Sequence, residues 1–338
     1  MSRRFAFHIG WLSVAAALVC VPARISGQAG KASALARTPD GHPDLHGYWT
    51  NATFTPLERP VALGTKEFYT EAEELEVERR LRLQDNSQAK DDVHYDNRTW
   101  QDEKYAKGIS NRRTSMIFDP PDGRLPSLSA KGQQRLPEFA EAARRRAAAE
   151  SAPSMNLAER CISWGTEGPP MIGATYNANL QIFQNEASVA ILHEMIHSVR
   201  VIPLDGPPHL PDGIRQYGGD SRGHWEGNTL VVDSSNFTDR TTFRGSPSNT
   251  RQDIFTSHEL HVVERFTPVN ADTIAYRFTV DDPGTWTRSW SAELYMRKVQ
   301  GPIFEYACHE GNYGLPNILA GARVQEKSAE AGSTKTGQ

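Results

Sequence analysis

The residues best spaced for chemistry are His193-Glu194-Met195-Ile196-His197, which fit HExxH. On a helix, residues four apart share a face, so both imidazoles could bind zinc while Glu194 activates water. The surroundings point elsewhere. Val189, Ile191, Ile196, Val199, Val201 and Ile202 fill residues 189–204 with β-branched side chains, and Pro203 stands near the end. That composition predicts a strand. Along a strand, His193 and His197 lie roughly 13 Å apart, too far for one metal. Position 200 is Arg, where one common extension of the zinc motif carries Gly. The expectation is a strand without a metal or other cofactor, with zinc on His193 and His197 as the alternative.

On that strand Glu194, Ile196, Ser198 and Arg200 share one face, and His197 takes the other. A charge turned into a barrel is costly unless paired, so it would mark a ligand site. A solvent-facing Glu194 and Arg200 would mark nothing.

A second constellation is Asp220-Ser221-Arg222-Gly223-His224-Trp225-Glu226-Gly227. Here Asp220 or His224 is placed to act as acid or base at a barrel mouth, or else the acids cap turns. A third is Tyr306-Ala307-Cys308-His309-Glu310-Gly311-Asn312-Tyr313-Gly314. His309 with Glu310 suits general acid–base work, and the glycines let backbone approach a ligand. The other reading is a demanding loop that holds down the C-terminus. His258-Glu259-Leu260-His261 is weaker, because on a strand its histidines face opposite ways. The chain lacks Gly-x-Ser-x-Gly, so an α/β-type serine hydrolase is disfavoured.

These residues need elements to hold them. Residues 67–83 predict a helix, with Thr70 as cap, Glu73 completing a capping box, and Leu75 and Leu81 inward. Residues 84–112 are polar and irregular, with Tyr95, Trp100 and Tyr105 spaced to wrap the domain or line a site. A second helix is expected over 137–149, and a short strand over 46–50. Beyond Cys161, β-type segments at 180–184, 189–204, 229–234, 258–267, 273–280, 287–299 and 303–308 are divided by turn-forming sets such as Glu226-Gly227-Asn228. Strand after strand with short connections predicts an antiparallel meander closing into a barrel. No βαβ alternation and no GxGxxG suggests a nucleotide-binding sheet.

The first residues read as an export signal. Ser2-Arg3-Arg4 is basic, residues 5–21 are largely apolar, and 22–29 end in small residues. Arg24 interrupts the apolar run before it reaches the 20 or so residues of a membrane span. Arg3-Arg4 loosely fits twin-arginine export. The expected destination is the periplasm or the medium, with no membrane span after cleavage. In such an oxidising compartment Cys161 and Cys308 most simply form one disulfide. A net charge of −4 gives no basic field for nucleic acid.

The stretches PDLHGYWTN, TPLERP, GGDSRGHWEGNTLVV, VERFTPVNADTIAYRFTVDDPGTWTRSW and EYACHEGNYG resemble a large family of exported bacterial proteins of unassigned function. The resemblance implies export and supplies no reaction. GHWEGNTLVV with ERFTPVNADTIAYRFTV is also similar to hairpins of lipocalin-like barrels.

The resulting expectation is a mainly β chain. It has a signal at 1–29, a lead-in at 30–40, a helical and irregular region at 41–159, a barrel at 160–325 and a disordered tail at 326–338. The expected function is acid–base chemistry on a small organic or sugar-derived molecule, as hydrolase, lyase or isomerase, with His309, Glu310, Glu194, His197, Asp220 and His224 as candidates. Alternatives are a binding protein for an apolar or aromatic ligand, favoured by seven Trp and ten Tyr, and the zinc hydrolase.

Overall fold

The computed structural model describes residues 35–85, 108, 110–173, 177–206, 208–244 and 253–336. The signal expected over 1–29 lies outside them, as do Tyr95, Trp100 and Tyr105. Alternating inward and outward side chains build the architecture. In β10 (His261–Asn270) Val262, Glu264 and Phe266 are buried, and in β11 (Thr273–Asp281) Ile274, Tyr276, Phe278 and Val280 are buried. The partner strand β12 (Trp290–Lys298) buries Trp290, Ala292, Leu294 and Met296. Such period-two burial is what one covered sheet face requires.

The remaining sheet strands are β1 (Gly47–Thr50), β2 (Ile117–Asp119), β3 (Asn179–Gln184), β4 (Ser188–His193), β5 (Val199–Pro203), β6 (Asp220–Glu226) and β7 (Thr229–Ser235). Their order is β5-β4-β3-β1-β12-β11-β10-β7-β6, with β2 also on β12. All pairings along this path are antiparallel. The ends meet where Leu204 bridges Gly223 and the Asp205 N–H donates to the Gly223 carbonyl at 3.0 Å, giving a nearly closed barrel. Gly223 permits that approach: a Cβ there would lie 2.8 Å from Leu204 Cδ2 and 2.9 Å from Ile202 Cγ2. A small separate hairpin joins β8 (Thr242–Arg244) and β9 (Asp253–Phe255).

Aromatic contacts run through the core from Phe266 to Tyr276, Phe278, Trp290 and Trp286, with centroids 4.9–5.8 Å apart. Each such pair adds roughly 0.5–1.5 kcal/mol beyond burial.

Three α-helices lie outside the sheet among the described residues: α1 (Glu71–Asp85), α2 (Ala130–Ala147) and α3 (Gly314–Thr336). The expected box starts α1, since Glu73 accepts from the Thr70 N–H at 2.8 Å and Thr70 Oγ1 accepts from the Glu73 N–H. Leu75, expected inward, is 65% exposed. Helix α2 begins seven residues before its expected start, because Ser129 caps it and Pro137 is accommodated inside. Helix α3 occupies most of the stretch expected as a disordered tail. No helix among the described residues is long and apolar enough to cross a membrane.

Two expected strands are corrected. Residues 189–204 are a hairpin, β4 and β5, rather than one strand, because Ile196 (φ 56°) and His197 (φ 43°) turn the chain back through left-handed backbone. Residues 303–308 pair with no strand: Pro302 removes a donor just before them, and Cys308 is held by its disulfide. Strand β6, with β2, β8 and β9, was not among the expected strands.

Candidate functional site

The HExxH residues belong to the β4–β5 turn. Met195–His197 is a single 3-10 turn, so the helix the zinc reading needs is absent. Glu194 is buried, and its carboxylate accepts from Asn177 Nδ2 at 2.8 Å, Asn179 Nδ2 at 3.3 Å and the Phe304 N–H at 3.2 Å. These donors fix the turn and tie the 303–308 segment to it. His197 is exposed, with Nδ1 2.9 Å from the Tyr306 carbonyl. His193 points into the barrel, where burial and then Arg200 push its pKa down to about 3, and its Nε2 is buried without a partner. No group of three or more His, Cys, Asp or Glu side chains is placed to hold a metal among the described residues.

Arg200 also faces inward, against the solvent-facing alternative. Its Nη2 donates to Glu264 Oε1 at 3.0 Å, and Nη1 pairs with Oε2. The Tyr276 hydroxyl donates to Glu264 Oε1 at 2.7 Å and accepts from the Met171 N–H at 2.7 Å. Burial and the Glu264 charge raise the Tyr276 pKa far above its ordinary value, so the phenol stays protonated. Arg200 Nε is buried without a partner.

Cys161 and Cys308 form a disulfide with a Cα–Cα distance of 5.8 Å. Asn312 Nδ2 reinforces it by donating to the Glu159 carbonyl at 2.9 Å. His309 and Glu310 ride on the exposed turn beside it, and neither side chain has a partner among the described residues. His224 sits on the outer face of β6 with Nε2 3.2 Å from Glu226, which also pairs with Arg265. The six candidate acids and bases therefore do not gather at one place.

Titratable groups do converge around Asp220. Alternation puts Asp220 and Arg222 on the outer face of β6, Asp233 on that of β7 and His261 at the start of β10. The 205–219 connection brings His209 across them. His209 Nδ1 lies 2.9 Å from Asp220 Oδ2, and its Nε2 lies 2.9 Å from Asp233 Oδ1. His261 Nε2 donates to Asp233 Oδ2 at 2.8 Å. Four side chains thus alternate as carboxylate, imidazole, carboxylate, imidazole.

The electrostatics agree with the geometry. The bond from His261 leads the causes that hold Asp233 below the usual carboxylate range, and that same bond raises the His261 pKa despite partial burial, with the Asp233 and Asp281 charges adding. Burial of Asp220 opposes its ionisation, yet the Leu210 N–H, His209 and Arg222 outweigh it and lower the pKa. Perturbed groups that share hydrogen bonds suit proton transfer.

Comparison with protein-family models, with curated proteins and with solved structures finds no match.

Sequence reasoning singles out Asp220 with Arg222 and, more weakly, His261, but misses His209 and Asp233. His209 lies in a proline-rich connection with no periodicity, and Asp233 reads as an ordinary polar residue on the solvent side of a strand. The available signal was the two-residue alternation along 229–235, which puts Asp233 on the outer side.

Proposed function

We propose that the chain performs acid–base chemistry on a small organic or sugar-derived molecule, as a hydrolase, lyase or isomerase, at the Asp220–His209–Asp233–His261 cluster. The observation that carries this reading is the 2.8 Å contact between Asp233 and His261, whose ring is 41% exposed. A carboxylate on one ring nitrogen fixes the tautomer and leaves Nδ1 as the atom that exchanges a proton with a substrate. Asp233 orients this ring. Asp220, His209 and Arg222 hold the 208–210 segment beside it, Arg222 donating to the Pro208 carbonyl at 3.2–3.3 Å. Screening wild-type protein and His261→Gln against glycosides, esters, lactones and hydroxy acids tests the reading. Turnover that falls at least about a hundredfold in the variant is expected, and turnover indifferent to His261, or none on any substrate, overturns it.

One observation favours a second reading, a lipocalin-like binding protein. Small antiparallel barrels can hold one ligand, and His193 Nε2 and Arg200 Nε sit inside this one without partners. Native mass spectrometry that finds no co-purified or extract-derived ligand would count against it. Export to the periplasm or the medium is part of either reading, supported by the signal-like first 29 residues and the disulfide. A mature N-terminus that still carries residues 1–29 would overturn export by cleavage.

A further inference from the structure

His261 has a second carboxylate beside it, on the neighbouring strand away from Asp233. Asp281 is its register partner across the β10–β11 pair. Side chains directly opposite on adjacent strands share a face, with Cβ atoms roughly 5 Å apart. Val262 and Val280 next to them are buried, so His261 and Asp281 both turn to the outer face. After the bond and charge of Asp233, the Asp281 charge also raises the His261 pKa, against burial.

The two acids differ in what they hold. Asp233 is committed, bonded to His261 at 2.8 Å and lying 2.9 Å from His209. Asp281 is exposed, and its carboxylate has no hydrogen-bond or ion-pair partner among the described residues. An ionised carboxylate only accepts, so it offers a place to donors on whatever approaches the ring. The next rung on the same face is Val263, Thr279 and Ser291, with the last two hydroxyls 2.9 Å apart. The surface leading away from the ring past Asp281 therefore carries hydroxyls.

We propose that Asp281 selects the substrate of the His261 site, admitting uncharged and ammonium-bearing polyols and turning away carboxylates and phosphates. The inference rests on the acid–base reading above and adds the sign of charge its substrate carries. One exposed carboxylate at about 6 Å disfavours an approaching anion by roughly threefold. A hydroxyl or ammonium finds there an acceptor beside the ring that exchanges the proton.

Alkylation of His261 by bromoacetamide and by bromoacetate, read by peptide mass spectrometry on the full chain, tests this without a substrate. The reagents differ in charge, and their rate ratio cancels the protonation state of the ring. Relative to N-acetylhistidine methylamide, His261 is expected to favour bromoacetamide by at least about threefold. That preference should fall by at least about half in Asp281→Asn, and likewise in about 1 M salt, where screening acts within about 3 Å. A ratio equal to that of the free compound, a ratio unchanged in Asp281→Asn, or a His261 that neither reagent alkylates overturns the proposal. If the variant does not fold, the wild-type salt dependence decides, and a ratio indifferent to salt overturns it. Failure of the acid–base reading shows instead as turnover indifferent to His261, so the two failures are read apart.

Discussion

Arg200 and Glu264 face each other inside the barrel, from strands that are not neighbours in the sheet, with Nη2 3.0 Å from Oε1 and Glu264 wholly shielded from solvent. Two charges withdrawn from water gain little over apolar side chains of the same volume, while removing one strands the other. Glu264→Gln is therefore expected to cost about 3–5 kcal/mol in denaturant unfolding. The double change Arg200→Met with Glu264→Leu should cost much less than that single change. A double variant as unstable as Glu264→Gln would show that the pair itself, rather than an orphaned charge, carries the stability.

His193 sets an acid limit. Its folded pKa of about 3 lies below the unfolded value near 6.5, so the unfolded chain takes up a proton that the native chain refuses. Stability should fall as pH drops below about 6.5, by up to about 1.4 kcal/mol per unit from this residue. Urea midpoints between pH 7 and 4.5 are expected to fall less steeply in His193→Gln. Parallel curves for the two proteins would contradict this.

His261 works in the opposite sense. Its raised pKa means that the pair with Asp233 contributes below the unfolded value and is lost as pH rises through the folded one. In Asp233→Asn the His261 ring should titrate at lower pH, as followed by the proton resonances of the imidazole. An unchanged midpoint would remove Asp233 as the cause.

The disulfide joins positions 147 residues apart. On the chain-entropy account, a loop of that length stabilises by roughly 4–5 kcal/mol. Replacing both Cys161 and Cys308 with Ser should lower unfolding stability by about that amount and loosen the 303–313 segment first, which hydrogen exchange can follow. Uniform exchange across the barrel in the variant would contradict a local role.

What the sequence revealed depended on the range of the interaction. The Thr70–Glu73 box and the 273–280 alternation are local patterns, and both appear in the fold. The barrel as a class was legible because strand after strand is separated by turn residues. The turn inside 189–204 was not, since a donor from Phe304 and two asparagines across the sheet hold Glu194, and no β-branched count registers them. Asp220 could be singled out by its glycine-rich setting. His209 meets Asp220 and Asp233, and His261 meets Asp233, only once β6, β7 and β10 lie side by side.

The place of β1 orders the whole assembly in time. It lies between β3 and β12, pairing Trp49 with Leu180 on one side and Lys298 on the other. The first of the described strands therefore waits for a partner some 250 residues later before its second edge is satisfied. Until then β1, which can pair with β3 on one side, leaves its other edge open to wrong pairing. Such distant pairings slow folding. For this chain, the β1–β12 pairing splices the earliest of the described strands to the latest strand of the sheet.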